Sequence, residues 1–215
     1  MQQRIHRLSN HIIICGCGRL GRIVIKELLE AEQPVVVVEN SAEAVAWLER
    51  MGVPYIQGSA YQDETLSAAG IERAKTLLAL LPADVDNVYA TLCARTLNPK
   101  LEIVARTEEE NGETKLLRAG ANHVLAPYRV TGGRIVQRLI RPNVADFLEF
   151  AVGKSGTAVA IEEVVVPANS VLAGKTLEES ELRNRAGVVI AAFISREGET
   201  IFNPGAKSVI EPEST

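Results

Sequence analysis

Cysteine is scarce in this chain, and the few residues present are poorly placed for either of their usual structural roles. Cys15, Cys17 and Cys93 are an odd set with no CxxC spacing, which points to reduced thiols rather than a disulfide framework. A metal held by Cys15 and Cys17 would need two more ligands, and the only histidines, His6, His11 and His123, are not arranged to supply them. No metal site is therefore expected, and the two thiols read as packing in a turn. Basic charge is also in deficit. With 23 Lys and Arg against 27 Asp and Glu, a formal charge of −4 and no long Lys/Arg cluster, nucleic acid is not an expected partner. Long apolar runs are missing: those at 12–15, 35–38 and 77–81 fall far short of the roughly 20 residues of a membrane helix. No stretch has the layout of a signal peptide, so the expected location is cytoplasmic.

Glycine, by contrast, is concentrated where it has chemical meaning. Gly16, Gly18 and Gly21 follow the apolar run 11–15 and open a helix-like stretch from Arg19 to Glu30. In a dinucleotide-binding turn the first such glycine makes the tight turn, the second lets backbone approach a pyrophosphate, and the third lets helix and strand pack closely. Glu39 closes the next apolar run, 23 positions after Gly16, where an acid accepts hydrogen bonds from ribose hydroxyls and disfavours a 2′-phosphate. The candidate nucleotide site is Gly16, Cys17, Gly18, Arg19, Leu20, Gly21, Glu39, Asn40, Ser59 and Ala60. The start of the helix favours phosphates through its free N–H groups and dipole, and Arg19 adds a full charge.

Short apolar runs alternate with amphipathic stretches from residue 11 to about 126. This spacing predicts strands at 11–15, 35–39, 54–57, 76–81, 101–105 and 122–126, with helices at 19–31, 41–51, 63–69, 84–97 and 112–119. The fold class is α/β: a Rossmann-like doubly wound parallel sheet, followed by a helical crossover and a small α+β C-terminal subdomain. Expected domains are a lead at 1–10, the Rossmann-like part at 11–130, a crossover and dimerisation segment at 131–156, and the small subdomain at 157–215. The crossover reads as helices at 131–140 and 143–150, and the small subdomain as a strand at 158–166, a helix at 176–182 and a strand at 188–195 before the turn 196–199. Val144, Phe147, Leu148 and Phe150 gather bulky apolar groups on one short helix, and burial against a second copy of the chain is expected there. His123 reads as the start of a buried strand, and the acids Glu108, Glu109 and Glu110 as a solvated helix start.

The ordered series of motifs resembles the RCK domain, the regulator of potassium conductance, of TrkA-N and TrkA-C type. It comprises residues 12–21, Gly52 to Ala60, Leu66 to Ile71, Asp84-Val85-Asp86-Asn87, 103–107, Leu117 to Ala121, and then 169–177 with 187–191. The resemblance implies a cytosolic gating domain of a potassium channel, binding NAD(H) or ADP/ATP and assembling as a dimer within a ring of eight. Its partner would be a potassium channel pore or the membrane subunit of a potassium transporter. A free-standing peripheral subunit of a potassium uptake system is the alternative. Residues 4–10 resemble the linker from a pore helix and favour the channel. Three departures stand out. Ser59 replaces the family's acid at the pocket rim. Leu80 and Arg106 occupy two places of the metal site of calcium-gated members, leaving Glu108 alone, so that site is expected to be absent. The family's final Gly-Asp and closing strand do not follow Glu213, which implies a truncated small subdomain.

An NAD-dependent oxidoreductase shares the fold, yet the residues four after each tyrosine are Ser59, Thr65, Cys93 and Gly132, so no Tyr-x-x-x-Lys relay exists. The chain is not expected to be an enzyme. A Rossmann-type repressor would need a DNA-binding helix pair, and ten residues before the first strand leave no room for one.

Overall fold

A computed structural model describes residues 2–144, 146 and 162–215. The chain divides into two compact units, Met1–Ile140 and Arg141–Thr215.

The first unit begins with α1 (Gln2–His6), β1 (Ile12–Cys15), α2 (Arg19–Glu30), β2 (Val35–Glu39), α3 (Ala42–Met51), β3 (Tyr55–Gln57) and α4 (Asp63–Ala68). It continues through β4 (Thr76–Ala79), α5 (Asp84–Leu97), β5 (Glu102–Arg106), α6 (Gly112–Ala119), β6 (His123–Leu125) and α7 (Pro127–Ile140). The strands form one sheet in the order β3-β2-β1-β4-β5-β6, and every pairing is parallel. All six strands lie within two residues of where the apolar runs place them, and β1 and β2 in the middle of the sheet are buried on both faces almost throughout, which is why their runs are continuously apolar.

Alternation along the strands sorts side chains between two layers. Ile13, Cys15, Val36, Val38, Leu77, Ala79, Ile103 and Ala105 face one way and pack with Leu66, Ala90, Ala94 and Leu116 from α4, α5 and α6. Ile12, Ile14, Val35 and Val37 face the other, against Ile25, Ala44 and Leu48 from α2 and α3. The chain leaves β1 outward through β2 and β3, then returns to β4 on the other side of β1. This reversal leaves a crevice at the carboxyl ends of β1 and β4.

Several local expectations change. The lead 1–10 is not a bare linker: α1 sends Ile5, 1% exposed, into the core, and Arg73 Nε donates to the Leu8 carbonyl at 3.2 Å. α7 starts at Pro127, earlier than residue 131, since a proline suits the first position of a helix. His123 is exposed rather than buried, because β6 is an edge strand paired only with β5, and its Nε2 lies 3.2 Å from the Glu102 carboxylate. Helix α6 begins at Gly112, after the acidic run. Glu108 there is engaged by Arg106, and Glu109 by Lys115 at 2.8 Å.

The second unit holds α8 (Leu177–Ser180), α9 (Leu182–Ala186) and an antiparallel hairpin of β7 (Ala192–Ile194) and β8 (Thr200–Phe202). Thr176 and Glu179 form a reciprocal capping box at the start of α8. The expected single helix at 176–182 splits because Glu181 adopts a left-handed conformation, φ 52°. The expected strand at 188–195 shortens to three residues, the ones that find ladder partners in β8. Residues 158–161 of the expected strand lie outside the described residues; 162–166 are not a strand, although the Val166 amide donates to the Ser214 carbonyl at 2.8 Å. Val144 is 50% exposed. Phe147, Leu148 and Phe150 lie outside the described residues.

Candidate functional site

The crevice over β1 and β4 is a cleft of about 440 Å³, inside the range of roughly 300–1,000 Å³ usual for small-ligand sites. Its floor is the first glycine turn. Gly16 has φ +104°, a conformation that L side chains rarely adopt, and a Cβ there would stand 3.0 Å from the Leu80 carbonyl oxygen. A Cβ on Gly21 would come within 2.2 Å of the Gly16 carbonyl oxygen, so this glycine sets how closely α2 approaches the turn. Gly18 differs from both. Its φ is −73°, and a Cβ on it would meet no protein atom within 4 Å. Neither backbone geometry nor internal packing requires glycine there. With no side chain, the Gly18 backbone is left open to the cleft that it lines.

Gly18 is also the N-cap of α2, with no side-chain hydrogen bond and no acid in the first turn. The first N–H groups of the helix are therefore left to an external acceptor. Glu39 is already oriented: one carboxylate oxygen accepts from the Cys17 amide at 2.6 Å, and the other from the Asn40 and Ser41 amides at 2.8 Å each. These bonds tie the end of β2 to the glycine turn and spread the charge over three backbone dipoles. A carboxylate has lone pairs for more than three donors, so capacity for ribose hydroxyls remains. The residues fit an adenosine diphosphate moiety: glycine backbone for the phosphates, Glu39 for the ribose, and an apolar wall of Tyr61, Leu81 and Pro82 for the base.

Of the residues expected from the sequence, Gly16, Cys17, Gly18, Glu39, Asn40 and Ala60 line the cleft. Gly21 supports it from behind. Leu20 packs instead into the core layer beneath α2 and α3, and Arg19 is exposed at the helix start, outside the lining. Ser59 turns its carbonyl to the Gln62 amide at 3.1 Å and is not in the lining. Arg22 went unnoticed in the sequence. Its guanidinium donates to the Cys17 carbonyl at 3.2 Å and to Glu43 at 3.1 Å, and lies 5.4 Å above the Trp47 ring. A signal existed, because an arginine one turn into the helix after a glycine turn lies on the cleft side, but its partners come from α3.

The two cysteines of the turn are packing residues. Burial pushes the Cys15 thiol up to about 12 and raises that of Cys17 as well, so neither is a thiolate near neutral pH. Among the described residues no group of three or more His, Cys, Asp or Glu is arranged to hold a metal. On the far side of β4, burial opposes the charge of Asp84, but the Thr107 hydroxyl, the Glu109 and Glu108 amides and the Arg106 guanidinium outweigh it, and its pKa lies below the ordinary carboxylate range. Asp84 thereby anchors the loop after β5. A second groove of about 350 Å³ beside α5 exposes Val85, Tyr89 and Leu92 and is predominantly apolar.

Residues 12–127 match the TrkA-N domain and residues 161–215 the TrkA-C domain. Potassium channel protein 1 of Methanocaldococcus jannaschii is 34% identical over 212 residues, covering 98% of this chain; the chain spans 63% of that relative's length. The GsuK RCK domain superposes with a TM-score of 0.56 at 27% identity, over 95% of this chain and 42% of the other. The GsuK channel bound to NAD superposes with a TM-score of 0.54 at 25% identity, over 97% of this chain and 36% of the other. The relative from Methanocaldococcus jannaschii is named as a potassium channel protein and GsuK as a channel, and neither name is that of an oxidoreductase. No helix among the described residues is long and apolar enough to cross a membrane. With its sheet unit matching one domain type and its C-terminal residues the other, the chain belongs to the TrkA-N domain family, in the RCK arrangement of a TrkA-N followed by a TrkA-C domain.

Proposed function

We propose that this chain is the cytoplasmic regulatory module of a potassium channel and that it senses an adenine nucleotide, NAD(H) or ADP/ATP, in the cleft of the first unit. The observation that carries the reading is Gly18, a glycine that nothing inside the protein demands, at the uncapped start of α2. Phosphates would lie on the backbone of residues 16–18 and be approached by Arg19, and the ribose would be held by Glu39. A relative named as a potassium channel protein supports the channel part of this reading, and the GsuK channel, solved bound to NAD, supports the nucleotide part. The dimer contact through Val144, Phe147, Leu148 and Phe150, and a ring of eight on a fourfold pore, belong to this proposal. A single allosteric site supplies about 1–3 kcal/mol, whereas swinging a gate from 1:99 to 99:1 takes about 5.5 kcal/mol, so several sites must act together.

The test is calorimetric titration of NAD(H), ADP and ATP into the protein and into Gly18→Val. The wild type is expected to bind. The variant is expected to lose about tenfold or more in affinity, about 1.4 kcal/mol, with only a small fall in its unfolding midpoint, since a Cβ at this position meets no protein atom within 4 Å and the fall is that of valine for glycine at a helix N-cap. Gating is read by titrating the same ligand against potassium currents of the intact channel. Equal affinity in the open and closed forms would refute the regulatory role.

A further inference from the structure

Helix α6 starts at a pair of residues whose chemistry the cleft does not use. Of the chain's asparagines only Asn111 precedes a glycine. Asn111 is the exposed N-cap of α6, and its side chain makes no capping hydrogen bond. Its amide carbon is therefore open to the nearest nucleophile in the chain, the backbone nitrogen of Gly112, which no Cβ shields. The glycine itself is imposed by packing. Gly112 is buried, and a Cβ on it would stand 1.8 Å from the Thr107 hydroxyl oxygen and 3.0 Å from Asp84 Oδ2. The fold thus fixes, after an unpartnered asparagine, the residue type that lets it react with its own backbone.

The reaction is intramolecular, so proximity favours it. The Gly112 nitrogen gives up its proton and bonds to the side-chain carbonyl carbon of Asn111, the bond from that carbon to Nδ2 breaks, and ammonia leaves. Water then opens the cyclic imide at one carbonyl to aspartate or at the other to isoaspartate, so that water is consumed, ammonia released and nothing oxidised or reduced. In the folded chain the reacting atoms are held apart. With ψ 4° at Asn111, the Gly112 nitrogen eclipses the backbone nitrogen of Asn111 instead of facing its side chain, and its N–H donates to the Glu109 carbonyl at 3.2 Å. Turning ψ toward ring closure moves Gly112 off Thr107, and Thr107 belongs to a clamp. Asp84 accepts from the Thr107 hydroxyl and from the Glu108 and Glu109 amides at 3.0 Å each. Local opening of residues 107–112 therefore precedes ring closure. We infer that Asn111-Gly112 is a self-deamidation site whose rate is set by the Asp84 clamp. The new carboxylate joins Glu108, Glu109, Glu110 and Glu113, and isoaspartate adds a carbon to the backbone where Gly112 has no slack. Either product alters the rim of the apolar groove beside α5, which Glu109, Gly112 and Lys115 line.

The test incubates the intact chain at mildly alkaline pH and follows each asparagine-containing peptide by mass spectrometry, with isoaspartyl methyltransferase labelling to read the isoaspartate. Product is expected at residue 111 ahead of every other asparagine, and more slowly than in the same chain unfolded in urea. Asp84→Ala is expected to raise the folded-state rate about tenfold or more, the factor that follows from losing a hydrogen bond to a charged group. Thr107→Val, which keeps the side-chain shape and removes only the hydroxyl, is expected to raise it less. Amide exchange at residues 35–38 and 77–79 is the control, and is expected to stay slow in both variants while the loop opens. Should Asp84→Ala lose that protection, Thr107→Val decides alone. Asn111→Gln is expected to abolish the signal. No product at residue 111 of the folded chain, under conditions in which the unfolded chain converts, overturns the site. Equal rates in the folded and unfolded chains, or clamp variants that keep the wild-type rate with the sheet still protected, overturn the gate.

Discussion

The two units of this chain are built on different physical terms. In Met1–Ile140 a six-stranded parallel sheet buries apolar side chains in two layers, and the largest of them, such as Ile13, Ile14, Leu48, Leu77 and Ile103, have no exposure at all. In Arg141–Thr215 the buried described residues are Ile210, Ser180 and Ser214, while Val171, Val189 and Phe202 are each about four-fifths exposed. That unit is organised by hydrogen bonds: Gly174 to Ile210 at 2.8 Å, Leu177 to Ser208 at 2.9 Å, and Ile194 with Thr215 in both directions. A core supplies stability by removing area from water, whereas a net of exposed hydrogen bonds exchanges one set of partners for another and contributes little net. A ligand site needs rigid walls, and the first unit is the one that has them.

Separating the units tests this comparison most severely. Residues 1–140 alone are expected to keep a cooperative thermal transition and nucleotide binding, and residues 141–215 alone to show neither; a cooperative melt of the second fragment would undo the contrast. Within the first unit, Gly21→Ala is next in size. Its Cβ would sit 2.2 Å from the Gly16 carbonyl oxygen, backbone that cannot swing aside, and overpacking of this kind costs about 3 kcal/mol. Urea denaturation should show that loss together with lost binding, in contrast to Gly18→Val, whose main expected loss is in binding.

Smaller effects sharpen the comparison. Thr176→Ala removes the capping box of α8 and is expected to cost about 1 kcal/mol, read as faster amide exchange confined to residues 176–186. The smallest effect concerns pH. His11 is fully buried at the start of β1, its Nε2–H donating to the Ala69 carbonyl at 2.9 Å while Nδ1 has no partner. Burial lowers its pKa from the usual 6.5, the Ala69 bond opposing and Arg73 assisting. The unfolded chain thus binds the proton more readily. The stability due to neutral His11 is complete above pH 6.5 and is lost as pH falls toward the folded value. His11→Gln should flatten the decline in melting temperature between pH 7 and 5; an unchanged slope would assign the decline to other groups.

The same contrast governs what could be read in advance. In the first unit, runs such as 35–38 and 101–105 had only one environment open to them, a strand covered on both faces, and they lie within a residue or two of their expected positions. In the second unit, Val188 and Val189 look like strand residues but have no ladder partner among the described residues, where residues 192–194 do; a strand is defined by its neighbour. His123 was misread for a related reason: strand pattern does not reveal that β6 is an edge. At the site, Gly16, Gly18, Gly21 and Glu39 were legible because each does a task that its own residue type dictates. Tyr61 and Asp86 were not, since they reach the cleft from the turn after β3 and from α5, and nothing in their sequence neighbourhood says so; Arg22 had a signal in its place one turn after the glycines, but its partners Glu43 and Trp47 come from α3.

Local sequence by itself therefore determined the sheet, its parallel crossovers and the glycine turn after β1, all of which follow from periodicity and from glycine's lack of a side chain. Tertiary structure alone decided the charge of the cleft. The strand order brings the ends of β1, β2 and β4 together, and with them an arginine paired with Glu43 and Asp86 at the start of α5. Electrostatic interaction depends on distance through space, which separation along the chain does not record.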